Sequence, residues 1–305
     1  MGRVWEWYDC TRPVPHTHTH FYHTRPIPIF FRILIPIPTK NGVGSGRIFR
    51  VQVRLPSLKL MADSGQPLSD PTQYRRLVGK LICLTITRPD ITYVVQLLSQ
   101  FMASPTVEHM QIANHVLRYL KSCLGHGIFL ATDSSTHLTT YCDSDWTSCP
   151  IGRRSTTGYA VILGQSLISW HIKKQDIISC SSAEAEYHAM EMTTCEITWL
   201  LALLFDLGFT KQQLLPIALF CDNMTALHIA RNPVFYERTK HIEVDCHYVR
   251  DKITIGILKT AHVSTKFQLA DVFTKAILVN QFSQLLSKLG VVDFFQSPHP
   301  TCGGY

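Results

Sequence analysis

Between residues 137 and 275 the hydrophobic period switches from strand to helix and back, and the order of those switches restricts the fold. Three short strand-like runs come first, at Leu138 to Trp146, Gly158 to Leu163 and Leu167 to Ile172. Their short connections make them antiparallel neighbours. A long helical pattern follows from about Ala183 to Leu207. Tyr187, Met190, Ile197, Leu200, Leu201 and Leu204 give it one apolar face, and Gly208 supplies the stop. Ile217 to Cys221 reads as a buried fourth strand. Asn223 to Ala230 and Ile242 to Ile253 read as helices, Gly256 to Val263 as a fifth strand, and Phe267 to Lys275 as a last helix. The fold class is therefore α/β, a mixed five-stranded sheet flanked by helices.

A small helical unit precedes this domain. Asp70-Pro71 suits a helix start, with Pro at the first helical position. Tyr74, Leu77, Val78, Leu81 and Leu84 then recur at helical spacing. Pro89 and Pro105 each open a further helix, and the unit by itself implies no chemistry. Residues 1–55 are rich in Pro, His and Arg, hold no period, and are expected to be disordered. The tract His16-Thr17-His18-Thr19-His20 offers metal-ligating nitrogens. It is better explained as the translation of a dinucleotide DNA repeat.

Charge excludes less than it first suggests. The net charge is +7, but residues 1–60 carry nine Lys/Arg and two acids, and the rest of the chain is balanced. A nucleic-acid function must therefore rest on a site rather than on bulk charge. The ten cysteines form no CxxC pair or regular spacing, which points to reduced, mostly buried thiols. The N-terminus lacks a secretory pattern, and no run reaches the roughly 18–20 apolar residues of a membrane helix. No membrane partner is expected.

Four acids stand in or beside otherwise apolar stretches. Asp143 lies in the first strand, Glu186 in the first turn of the long helix, Asp222 at the end of the fourth strand and Asp271 in the last helix. A buried carboxylate without a partner is costly, so a group of them requires cations between them. Hard oxygen ligands of this kind suit Mg²⁺. Two ions about 3.5–4 Å apart would activate water on one side and steady the leaving oxygen on the other. Singly, each acid is better read as a strand-end, helix-dipole or capping residue. In this order of elements, they read together as a metal site.

The same segments resemble the C-terminal part of a copia-type retrotransposon Pol polyprotein. The resemblance rests on Leu68-Ser69-Asp70-Pro71, Tyr74 to Gly79, Thr87-Arg88-Pro89-Asp90-Ile91, Tyr141 to Trp146, Arg154 to Tyr159 and Lys173-Lys174-Gln175. It continues through Ser182 to Tyr187, Cys221-Asp222-Asn223, Arg238 to Ile242 and Gln268 to Lys275, and covers roughly residues 56–278. It implies a reverse transcriptase thumb and connection remnant over 56–130, a ribonuclease H-like domain over 131–278, and a C-terminal tail over 279–305. The implied activity is cleavage of RNA in RNA–DNA hybrids with Mg²⁺, two ions, with Mn²⁺ as a substitute. The resemblance favours Asp143 over Asp145, two residues along the same strand face, and Glu186 over Glu184. Asp143, Glu186, Asp222 and Asp271 become the catalytic and metal-binding carboxylates.

Arg153, Arg154, Lys173, Lys174, Arg238 and Lys240 are candidates for phosphate contacts, and Ser182 and Asn223 for reading a sugar hydroxyl. His262 stands near the place of a histidine loop known in some cellular ribonucleases H, but reads as the end of the fifth strand. Two departures matter. The chain contains no Asp-Asp pair, so polymerisation is excluded. Residues 1–55 do not resemble a polymerase palm, which implies a truncated copy with an unrelated beginning. The missing palm and fingers are then expected partners. A catalytically silent nucleic-acid-binding remnant is the competing reading. An active element would work in the cytoplasm or nucleus.

Overall fold

The computed structural model describes residues 65–150, 152–232 and 243–295. Residues 1–55, expected to be disordered, lie outside the described residues.

The prolines start the helices of the first unit as expected. Asp70 caps helix α1 (Pro71–Leu84), its Oδ1 accepting the Thr72 amide at 2.9 Å. Pro89 opens a single 3₁₀ turn before α2 (Thr92–Ser99). The third helix, α3 (Val107–Ser122), starts two residues after Pro105 because Thr106 takes the cap and closes a reciprocal capping box with His109. Tyr74, Val78, Ile91, Val95, Leu98 and Val116 form its core. One ion pair is buried there: Arg88 grips both oxygens of Asp90 at 2.9 and 2.7 Å, and the Tyr119 hydroxyl donates to the same carboxylate at 2.9 Å. Full pairing makes that buried charge tolerable.

Strands β1 (His126–Ile128), β2 (Leu138–Asp145), β3 (Thr156–Leu163) and β4 (Ser166–Lys174) come next. Helix α4 (Ser182–Asp206), a one-turn α5 (Lys211–Leu214), β5 (Ile217–Cys221), α6 (Met224–Arg231), α7 (Glu243–Thr254) and β6 (Leu258–His262) follow. The main sheet has the order β4-β3-β2-β5-β6. β2, β3 and β4 are antiparallel, and β5 runs parallel to both β2 and β6. Both faces are covered, so alternate residues of β3 enter different cores. Tyr159 and Val161 pack with Ile197, Leu200 and Leu201 of α4. Ala160 and Ile162 pack on the opposite side with Phe273, Leu285 and Leu286.

Two expectations change at the C-terminal end. The last helix, expected over Phe267 to Lys275, is broken into a 3₁₀ turn at Thr265–Phe267 and a one-turn α8 (Asp271–Thr274). Gln268 leaves the helical conformation between them, and its side-chain amide donates to the Cys142 carbonyl at 2.8 Å. Residues 279–295, expected only as tail, form α9 (Val279–Lys288) and β7 (Val291–Asp293). Leu285, Leu286, Leu289 and Val291 close the core beneath α8, and β7 pairs antiparallel with β1. Among the described residues no helix is long and apolar enough to cross a membrane.

Helix α8 lies against β3 because Gly158 has no side chain. A Cβ there would stand 2.7 Å from Thr274 Cγ2 and 2.9 Å from Phe273 Cβ. Gly158 pairs with Asp143 across the β2–β3 ladder. The close approach therefore sets the separation of α8 from that acid. Gly158→Ala is expected to destabilise the chain by about 1–3 kcal/mol through overpacking, read from urea unfolding. An unchanged midpoint would mean that α8 shifts freely.

Candidate active site

Asp143 sits on the central strand and is fully buried. Its carboxylate is satisfied from α8 and the residue after it. The Thr274 hydroxyl donates to Oδ2, and the Lys275 ammonium donates to Oδ1 at 2.9 Å. Lys275 also donates to Asp271 Oδ1 at 2.8 Å, one helical turn back. Asp271 is 3% exposed.

Glu186 comes from the other side of the sheet, in the first turns of α4. It is 5% exposed, and its Oε1 accepts the Ser144 amide at 3.2 Å. Glu184 is spent elsewhere. Its Oε2 accepts the Cys180 amide at 2.7 Å, closing the N-terminus of α4. Asp222 is half-buried just past β5, with Oδ2 held by the Thr265 hydroxyl at 2.7 Å. Ligand atoms of Glu186, Cys221 and Asp222 all lie within 4.8 Å of one another. Four elements thus deliver four carboxylates to one end of the sheet. Asp145 stands at the rim, half-buried.

The electrostatics follow from burial and like charge. Burial pushes the Glu186 carboxyl well above its ordinary range, and Asp143, Cys221 and Asp222 add to the shift. Burial likewise raises Asp271 to about 7, with Asp143 adding to it and Lys275 opposing. Burial raises Asp145 too, against the pull of Lys275. For Lys275 burial disfavours the charge, but Asp143 and Asp271 outweigh it and hold the ammonium above its ordinary pKa. A dense set of hard oxygen donors with a single ammonium among them fits a divalent cation.

The basic candidates gather less completely. Arg153 and Arg154 are exposed in the β2–β3 connection. Lys173 and Lys174 lie opposite Thr157 and Thr156, at the sheet end that carries Asp143. Lys173 is exposed and pairs with Asp176 at 3.1 Å. Lys174 is engaged inward, at 2.8 Å from Gln100 Oε1 and 2.9 Å from Cys149 Sγ. Ser182 is exposed at the start of α4, and Asn223 caps α6 by accepting the Ala226 amide at 3.0 Å. Arg238 and Lys240 lie outside the described residues. His262 is exposed at the end of β6, beside Cys221 in register.

Sequence reasoning missed the residues that hold the acids in place. The buried Gln175 amide donates to Ser144 Oγ, Thr157 Oγ1 and the Ala185 carbonyl at 3.3, 3.0 and 2.9 Å. One side chain thereby joins β2, β3 and α4. Gln268, Thr274 and Lys275 do the same for β2 and α8. All four lie inside the segments that carry the family resemblance. Nothing in hydrophobic period distinguishes them from surface polar residues.

No protein-family model matches the chain. The Pol polyprotein of transposon RE1 from Arabidopsis thaliana is 45% identical over 236 residues, which are 77% of this chain and 16% of the polyprotein. The Pol polyprotein of transposon RE2 from the same plant is 43% identical over 248 residues, 81% of this chain and 17% of the polyprotein. In sequence this chain is a homologue of copia-type Pol polyproteins. It spans about a sixth of the length of these copia-type relatives. Among solved structures, a ribonuclease H1 from the archaeon Halobacterium salinarum NRC-1 is 16% identical, covering 45% of this chain and 94% of its own, with a TM-score of 0.33. The sheet order β4-β3-β2-β5-β6 is the mixed five-stranded arrangement with flanking helices expected from the sequence.

The raised Asp271 carboxyl has a consequence for the metal-free protein. Well below pH 4 the group is protonated whether the chain is folded or not. As pH rises, the unfolded carboxyl ionises first, so the folded state binds more protons and loses relative stability until pH passes about 7. Between about pH 5 and pH 8, in chelator, the wild type should lose on the order of 2 kcal/mol relative to Asp271→Asn. Urea melts at the two pH values measure this. Parallel pH dependence in both proteins would contradict the shift.

Proposed function

We propose that this chain hydrolyses the RNA strand of RNA–DNA hybrids, using Mg²⁺ and no polymerase activity. The observation that carries this reading is the convergence of Asp143, Glu186, Asp222 and Asp271 at one sheet end, in a homologue of copia-type Pol polyproteins. Residues 56–130 are read as the thumb and connection remnant of a reverse transcriptase, and residues 131–278 as the ribonuclease H domain. The α9 and β7 segments complete the core of that domain.

The four carboxylates would hold two Mg²⁺ ions, with Mn²⁺ as a substitute. Bound there, the ions supply a water of lowered pKa and neutralise charge gathering on the phosphate. The chain's own residues do the positioning. The Ser144 amide orients Glu186, and the Thr265 hydroxyl orients Asp222. Gln175 fixes the start of α4 against the sheet, so Glu186 keeps its distance from Asp143. Arg153, Arg154 and Lys173 are exposed and near enough to the same sheet end to hold the phosphates of a hybrid. Ser182 and Asn223 flank Glu186 and Asp222 in sequence and suit contacts with 2′-hydroxyls. Arg238 and Lys240 are further phosphate candidates. The reverse transcriptase palm and fingers are the natural partner of the helical unit, which leaves Ile82, Ile86 and Leu117 exposed.

The test is cleavage of a hybrid labelled on its RNA strand, by the full chain and by Asp143→Asn. The full chain should cut with Mg²⁺ and stop on addition of chelator, and Asp143→Asn should be slower by at least about a hundredfold. Single-stranded RNA and duplex DNA should remain intact. A folded chain that binds the hybrid without cutting it would replace this reading with a silent, nucleic-acid-binding remnant.

A further inference from the structure

The Thr274-Lys275 dipeptide does more than complete α8. It satisfies both oxygens of the fully buried Asp143, one by hydroxyl and one by ammonium. The ammonium also reaches Asp271, so its nitrogen bridges two carboxylates from different elements at 2.9 and 2.8 Å. Asp143 and Asp271 are also two of the carboxylates that would hold a divalent ion. An ion on those oxygens would lie close beside the ammonium, and two cations that close repel strongly in a buried site. The Lys275 side chain is 34% exposed, against 0% and 4% for its two partners. It therefore has a route to solvent that the acids lack.

Resting on the metal-site reading above, we propose that Lys275 is the resident cation of the metal-free site, and that a divalent ion must displace its ammonium to bind. The lysine keeps Asp143 and Asp271 together when no metal is present. The acids converge because a charge of opposite sign is attached to the chain between them. Divalent affinity is then set by competition. An ion binding at Asp143 and Asp271 replaces two charge-assisted hydrogen bonds and turns the lysine outward. Removing a lysine that merely decorated the rim would also tighten divalent binding by charge alone, but it would not destabilise the metal-free protein, and such a lysine would not gain reactivity when metal binds.

The experiment measures Mn²⁺ binding to the full chain without nucleic acid, by electron paramagnetic resonance of free Mn²⁺. Lys275→Met should bind Mn²⁺ at least about tenfold more tightly than the wild type. It should also melt at a lower temperature without metal, and saturating Mn²⁺ should close that gap. Equal or weaker binding by a folded Lys275→Met overturns the proposal. If Lys275→Met does not fold, amine acylation of the wild type followed by mass spectrometry decides instead. Lys275 should react slowly without metal and faster with Mn²⁺, and equal rates overturn the proposal. Asp143→Asn separates this idea from the reading beneath it. Wild-type binding that Asp143→Asn weakens, with Lys275→Met unchanged, defeats only the lysine's role. Absence of Mn²⁺ binding in the wild type defeats the metal site as well.

Discussion

Like-charged carboxylates repel one another, and burial strengthens the repulsion. Everything near the end of β2 is arranged around that problem. Asp143 and Glu186 approach from opposite faces of the sheet, and Asp222 and Asp271 approach from the ends of later elements. No two of the four are neighbours in sequence, so no local stretch of chain carries the whole repulsion. The cost falls on tertiary structure, which must hold four separate elements in register. The raised carboxyls of Glu186 and Asp271 record what remains uncompensated.

The compensation is polar and directional rather than apolar. Gln175 ties three elements with one amide nitrogen, and Gln268 ties the loop before α8 to the Cys142 carbonyl. Both are buried, so losing either would leave carbonyl or hydroxyl groups without partners, at a cost of about 1–3 kcal/mol per group. Gly158 makes the complementary contribution by leaving space. Hydrogen bonds draw α4 and α8 towards β2, and a missing Cβ allows α8 to arrive.

Much of this was legible in the sequence. The strand and helix order from Leu138 to His262 follows from period alone, because each element buries a face whose spacing matches its geometry. The acids were visible as charges in apolar surroundings. The break in the last helix was not, because it depends on Gln268 finding a carbonyl that lies 126 residues away in the chain. Thr274 and Lys275 were hidden for the same reason, since their partner Asp143 is more than 130 residues distant. The α9 and β7 segments were missed because short amphipathic pieces gain their stability from tertiary packing rather than from propensity.

The helical unit and the α/β domain also meet more closely than a division near residue 130 implies. The Trp170 indole on β4 donates to the Thr85 carbonyl at 3.2 Å, and Lys174 reaches Gln100. Tyr93 of α2 packs into the core beneath α8, where burial raises the pKa of its hydroxyl and the charge of Asp145 adds to the shift. The wall beside Asp271 and Lys275 therefore includes residues from before the domain. Cutting the chain near residue 130 would uncover part of the core that fixes α8, and α8 carries the acid and the lysine. A unit without chemistry of its own thus helps to hold two of the charges on which the site depends.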